Sequence, residues 1–132
     1  MAAAESYPDD LRYHPEHDWA RVDGEEATFG VTWFAADALG ELVHFEAPEE
    51  GSRVTKDEAY AEVESVKAVS DVIAPLSGEI VEVNGAIADA PETVNDDPYA
   101  AGWLVRVRLS DPSEADALMG VEAYKQHVAE QG

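Results

Sequence analysis

Only three lysines occur in the chain, Lys56, Lys67 and Lys125, and their scarcity makes each worth placing. Lys56 stands in a breaker-rich loop before a strand, and Lys125 on the polar side of a C-terminal helical pattern; solvated charges account for both. Lys67 lies midway between two strand-like runs, in Glu64-Ser65-Val66-Lys67-Ala68-Val69-Ser70-Asp71, where a chain reversal puts it at a hairpin tip. No Asn-Gly or glycine marks that tip, so turn propensity alone does not predict a tight reversal, and an ordinary exposed lysine is the alternative. Other chemistry finds less support. His14 and His17 are separated by Pro15 with no helix to bring them to one face, so a metal site competes there with exposed or structural histidines. Ser77 sits in Leu-Ser-Gly-Glu, not in a G-x-S-x-G elbow. No glycine-rich phosphate loop follows a strand. The chain has no cysteine, which removes disulfides, thiolate nucleophiles and cysteine metal sites, so redox chemistry would have to come from an attached group.

The elements that must position Lys67 are mostly strands. Trp19, Arg21 and Asp23 alternate with Ala20 and Val22, and Gly24 offers a turn into Glu26 to Val31, predicting an antiparallel hairpin. Thr32 can cap a short helix over Trp33 to Leu39, with Gly40 just past its end. Leu42 to Phe45 reads as the next strand. In Glu58 to Glu64, Ala59, Ala61 and Val63 are expected to face a core. Val69 to Ala74 is a second apolar-rich run, Pro75 to Gly78 a turn, and Glu79 to Asn84 a strand with Val81 and Val83 on one face. A loop containing Pro91, Asn95 and Pro98 precedes Trp103 to Leu109, whose odd positions should be buried with Arg106 and Arg108 outside. The period then changes. Asp111-Pro112-Ser113 starts a short helix, and Val121, Tyr124 and Val128 mark a terminal amphipathic one. Residues 1–12 are expected as a flexible tail, and residues 13–132 as one domain, a compact β-sandwich or barrel with helical trim.

Charge narrows the function classes. The 132 residues carry 29 Asp+Glu against 8 Lys+Arg, a formal net charge of -21. Such a surface repels phosphate backbones and anionic lipid, which argues against nucleic-acid and membrane partners. The first ten residues show neither a secretory nor a transit pattern, and no apolar run approaches the ~20 residues of a membrane span, so a soluble, cytoplasmic protein is expected. So extreme an acidic balance is expected either as family character or as adaptation to a salt-rich cytoplasm.

The Glu64-Ser65-Val66-Lys67-Ala68 box, with Ser70-Asp71 and Pro75-Leu76-Ser77-Gly78-Glu79 after it, resembles the lipoyl-attachment region of the glycine cleavage system H protein family. The likeness extends to His17-Asp18-Trp19, Gly30-Val31-Thr32, Ala38-Leu39-Gly40-Glu41, Glu82-Val83-Asn84, Pro91 to Asn95, Pro98-Tyr99 and Gly102-Trp103-Leu104, in order and with similar spacing. The resemblance implies a mainly β fold, the barrel-sandwich hybrid or flattened barrel of lipoyl domains, with a short inserted helix and C-terminal helices. It implies a non-catalytic carrier with lipoic acid in amide linkage to Lys67. The arm would take an aminomethyl group from the PLP-dependent glycine decarboxylase to the tetrahydrofolate-dependent aminomethyltransferase, and electrons to dihydrolipoamide dehydrogenase. A lipoate ligase or octanoyltransferase would install the arm. The family's modifying enzymes are thought to read a glutamate three residues before the lysine and a glycine eleven after it, here Glu64 and Gly78. A solvated strand glutamate and a turn glycine with positive φ explain the same residues structurally. Asp18 stands where the family usually has glutamate, near a cleft for the loaded arm, and Ala38 where some relatives are polar.

Three rival readings remain at this level. Lipoyl domains of 2-oxo acid dehydrogenases and biotin carriers usually show Asp-Lys-Ala or Met-Lys-Met at the tip and lack these flanks. A lipoyl-relay protein that donates lipoate to other enzymes would carry an identical tip. A purely structural protein would carry no lipoate at all.

Overall fold

The computed structural model describes residues 4–131. Nine strands and four α-helices succeed one another: β1 (Arg12–His14), β2 (Asp18–Asp23), β3 (Glu26–Val31), α1 (Trp33–Leu39), β4 (Leu42–Glu46), β5 (Arg53–Val54), β6 (Ala59–Ser65), β7 (Val69–Ile73), β8 (Gly78–Val83), α2 (Gly85–Asp89), α3 (Thr93–Asp96), β9 (Val105–Leu109), and α4 (Val121–Gln131), with a 3-10 helix over Pro112–Ala117 before α4. They form a six-stranded sheet of order β1-β2-β3-β9-β8-β5 and a three-stranded sheet of order β4-β6-β7, every pairing antiparallel. The expected mainly β sandwich with short helices is the observed architecture.

Alternation builds the core. On β3, Ala27, Phe29 and Val31 are buried, and on β9 Val105, Val107 and Leu109 are buried while Arg106 and Arg108 are exposed. These meet Leu42, Phe45, Val63 and Val72 of the smaller sheet in one apolar cluster. A second cluster, Leu11, Tyr13, Trp19, Tyr99 and Tyr124, forms where α4 docks, with the Tyr13 and Tyr124 rings stacked at 4.5 Å. Trp19 faces Gly30 across the β2–β3 pair so closely that a Cβ on Gly30 would stand 2.5 Å from the indole.

Several expectations need correcting. Ala59 is exposed, because a β-bulge between Ala59 and Ala61 breaks the alternation against β7 and leaves Val63 as the fully buried apolar residue of β6. A second bulge between Ile80 and Glu82 puts Ile80 in the core, with Val83 packed beside it, in place of a shared Val81 and Val83 face. Trp103 precedes β9 and is half-buried against the second cluster. The expected loop around Pro91 to Pro98 contains α3, and α2 precedes it, capped by the Asn84 side chain on the Ala86 amide. Residues 1–3 of the expected tail, and residue 132, lie outside the described residues. Within 4–12, Leu11 is buried, Tyr7 packs edge-on against Trp33 and Tyr124, and the Ser6 carbonyl accepts from the Tyr99 hydroxyl at 2.6 Å.

Gly78 is also not a turn glycine: the positive-φ glycines are Gly24, Gly40 and Gly51. It opens β8 opposite Leu109, and a Cβ there would stand 2.1 Å from the Arg108 carbonyl oxygen and 2.5 Å from a Val107 methyl. Backbone cannot yield as a flexible side chain does, so the ladder itself must open. Gly78→Ala is expected to cost about 2–3 kcal/mol, the upper part of the range of core overpacking; a denaturant midpoint equal to that of the unsubstituted protein would contradict this packing.

Candidate functional site

Lys67 stands at the tip of the β6–β7 hairpin, in the three residues 66–68 between the strands. The missing turn signal has a physical replacement in Ser65. This buried serine lets its backbone amide donate to the Ala68 carbonyl at 2.8 Å, while its hydroxyl oxygen accepts from the amides of Lys67 at 3.3 Å and Ala68 at 3.1 Å. A side-chain oxygen thereby takes up tip amides that a glycine turn would otherwise arrange, and no tip residue has positive φ. Sequence reasoning missed this role, although the serine two residues before the lysine was its signal.

The tip is apolar around its one cation. Val66 is 82% exposed and Val69 61%, unusual for valines and contiguous with the lysine. Among the described residues the Lys67 ammonium has no ion pair or hydrogen bond, whereas that of Lys56 is 3.4 Å from Asp57. The lysine stem lies beside Gly40: its Cε is 3.6 Å from where a Gly40 Cβ would stand. Gly40 ends α1 with φ +85, and Thr32 caps the start of that helix by accepting from the Ala35 amide, as its sequence predicts.

Of the other expected site residues, Glu64 is exposed on β6 directly opposite Val69 and so belongs to the tip. Gly78 does not: it follows the far end of β7. Asp18 is buried on β2, and burial pushes its carboxyl well above the usual carboxylate range against the opposing hydrogen bond from the Ile73 amide. Its Oδ2 and the Tyr60 hydroxyl are buried polar atoms without hydrogen-bond partners. Ala38 is exposed on α1. His14 and His17 serve separate contacts: His14 Nε2 meets Asp57 Oδ1 at 2.7 Å, and the two ring nitrogens of His17 meet the Tyr124 hydroxyl and Gln131 Oε1. Ser77 hydrogen-bonds Glu114 and the Lys56 amide, a structural arrangement.

Charge is segregated between the sheets. All five arginines sit on strands of the larger sheet, where Arg106 pairs with Glu26 and Glu82, and Arg108 with Glu79. On the smaller sheet, Glu46, Glu62 and Asp71 stand directly opposite one another across three strands. Like charges in facing positions oppose pairing, and salt weakens that opposition.

Two outcomes follow from this geometry. Ser65→Ala should cost only about 0.5–1.5 kcal/mol, one modest hydrogen-bonding contribution, yet accelerate amide exchange at Lys67 and Ala68; unchanged exchange there would show that the hydroxyl does not hold the tip. Glu62→Gln should raise the melting temperature by about 1–3 °C at 0.01 M KCl and by nothing at about 1 M, where the Debye length is about 3 Å. The unsubstituted protein itself should melt higher as KCl rises over that range; a flat titration would remove the repulsion argument.

Comparison with known proteins agrees with this arrangement. The family model for the glycine cleavage H-protein matches residues 11–131. The glycine cleavage system H protein of Anaeromyxobacter sp. (strain K) is 49% identical over 124 residues, covering 94% of this chain and 97% of the relative. That of Halorhodospira halophila is 49% identical over 126 residues, covering 95% and 97%. Among solved structures, the crystal structure of the H protein from Mycobacterium marinum superposes with a TM-score of 0.82 at 40% identity, covering 91% of this chain and 97% of that one. A hairpin-borne lysine on a small sandwich, matched along nearly its whole length, places the chain in the glycine cleavage H-protein family, the non-catalytic lipoyl carriers that shuttle intermediates between the enzymes of glycine cleavage.

Proposed function

We propose that Lys67 is the residue that carries lipoic acid, and that residues 13–132 act as a single carrier domain around it. The observation that carries this reading is the placement of Lys67: it alone of the three lysines occupies a hairpin tip, with an exposed ammonium that has no partner among the described residues. Lys56 is tied to Asp57, and Lys125 is exposed along α4. The group suits the residues present. The chain contains no cysteine, and when bound the lipoyl group supplies the exchangeable dithiol that the chain lacks.

The protein's own residues hold and present the root of the arm. Ser65 fixes the turn, Gly40 leaves room beside the lysine stem, and Val66 and Val69 offer an apolar collar to a docking enzyme. Acylation removes the one lysine charge at the tip, taking the formal count from -21 to -22. A stiff sandwich with one fixed root lets a swinging tether serve several active sites at high effective concentration. Glycine decarboxylase, the aminomethyltransferase and dihydrolipoamide dehydrogenase are the partners this reading requires, with a lipoate ligase or octanoyltransferase installing the arm. Glu64 is placed to be read together with Lys67. Gly78 supports recognition indirectly, through the β8–β9 packing that any substitution there disturbs. The reading places the protein in the cytoplasm, in keeping with the absence of any helix among the described residues long and apolar enough to cross a membrane.

Incubation with lipoate ligase, ATP and lipoate followed by peptide mass mapping tests the assignment. Label is expected on Lys67 alone, and label on Lys56 or Lys125 would overturn it. Lys67→Arg should melt within about 2 °C of the unsubstituted protein, as exposed substitutions do, and take no label. The lipoylated protein should support glycine–bicarbonate exchange with the decarboxylase, which a lipoyl-relay protein would not.

A further inference from the structure

Asn95, on α3, bonds three backbone groups at the end of α1 and the start of β4. Its Oδ1 accepts from the Leu42 amide at 2.9 Å, and its Nδ2 donates to the carbonyls of Ala36 at 3.3 Å and Gly40 at 2.8 Å. A carboxamide has two donor hydrogens and an oxygen with two lone pairs, so this one side chain spends both donors and one acceptor position on three backbone groups. Those groups straddle the two-residue link, Gly40-Glu41, by which the chain leaves α1 and enters β4. The Ala36 carbonyl already takes the Gly40 amide at 3.0 Å, so Asn95 adds a second donor to it and bonds the Gly40 carbonyl and the Leu42 amide on either side of Glu41.

Both sides of the link touch the lysine's surroundings. Gly40 lies beside the Lys67 stem, its missing Cβ 3.6 Å from Cε. Leu42 is the β4 residue paired with Ser65, the residue whose hydroxyl closes the tip. One amide therefore braces the shelf beside the stem and the strand beneath the turn. The bounds of α3 fit this duty: four residues are too few for a helix to be stable by itself, but enough to aim one side chain.

We propose that Asn95 is a positioning residue for Lys67, acting through Gly40 and Leu42 to hold the tip in the stance that the arm-attaching enzyme requires. The proposal rests on Lys67 being the attachment site. Aspartate at this position is nearly the same size and keeps the acceptor for the Leu42 amide, but its carboxylate faces the two carbonyls with no hydrogen to give. Asn95→Asp thus removes the bracing of the shelf and adds repulsion to it, with the rest of the molecule left alone.

The test compares the unsubstituted protein and Asn95→Asp, each verified as folded by circular dichroism, as substrates for lipoate ligase with ATP and lipoate, and follows amide exchange by mass spectrometry. The expected result is a fall of about tenfold in kcat/KM for label at Lys67, the scale of the two modest donor hydrogen bonds lost to Ala36 and Gly40, with faster exchange at Gly40, Leu42 and Ala68. Labelling kinetics within twofold of the unsubstituted protein, or unchanged exchange at the tip, would reduce Asn95 to a purely structural part and overturn the proposal. If Asn95→Asp does not fold, Asn95→Ser, which adds no charge and is too short to span the link, must show the same two changes; values equal to the unsubstituted protein overturn the proposal in it as well. A failure of the Lys67 assignment is recognised separately, because the unsubstituted protein would then take no label at Lys67.

Discussion

A buried serine hydroxyl accepting two tip amides is the interaction on which the carrier geometry depends. Tight hairpins usually reverse through residues of positive φ, and between β6 and β7 there are none. Ser65 substitutes a side-chain acceptor for that backbone conformation, leaving the tip positions free to be Val66, Lys67 and Ala68. Because Ser65 is itself buried and paired with Leu42, the turn is anchored in the sandwich, and a tip exposed to solvent keeps a defined root.

The sandwich beneath the tip is divided in its electrostatics. The larger sheet neutralises part of its carboxylates with arginines on neighbouring strands, while the smaller sheet aligns Glu46, Glu62 and Asp71 with no arginine or lysine against them and only the His44 imidazole beside Glu46, at 3.0 Å. Exposed ion pairs contribute little to stability, so the arginines matter more for where they leave the surface uncompensated. Two strands of that row, β6 and β7, are the ones that end in the hairpin tip. Long-range fields of this kind steer encounters and choose among partners, which suits a protein that must meet several enzymes and stay with none.

A carrier asks little of its residues chemically and much of them sterically. What the structure spends its tight contacts on is shape: Gly78 against the Arg108 carbonyl, Gly30 against Trp19, and Asn95 against the link from α1 to β4. The first two fix strand pairs of the larger sheet, and the third fixes the link that enters β4, the strand paired with β6 of the hairpin.

Local residue chemistry by itself determined the β2–β3 hairpin, the Thr32 cap, the alternation of β9 and the candidacy of Lys67, because each rests on contacts within a few residues of chain. The order of short motifs along the chain was enough to indicate the family. Tertiary structure alone decided the rest. The bulges that expose Ala59 and bury Ile80 are shifts in the β6–β7 and β8–β9 pairings, and a pairing register is a property that no single strand contains. The role of Gly78 is set by a neighbour thirty positions away, Arg108, and the turn-like residues around Pro91 became helical because they cap the sandwich and deliver Asn95 to α1. The acidic row could not be read from composition, since Glu46, Glu62 and Asp71 become neighbours only through strand pairing, and it is pairing between distant segments that turns a count of charges into a surface.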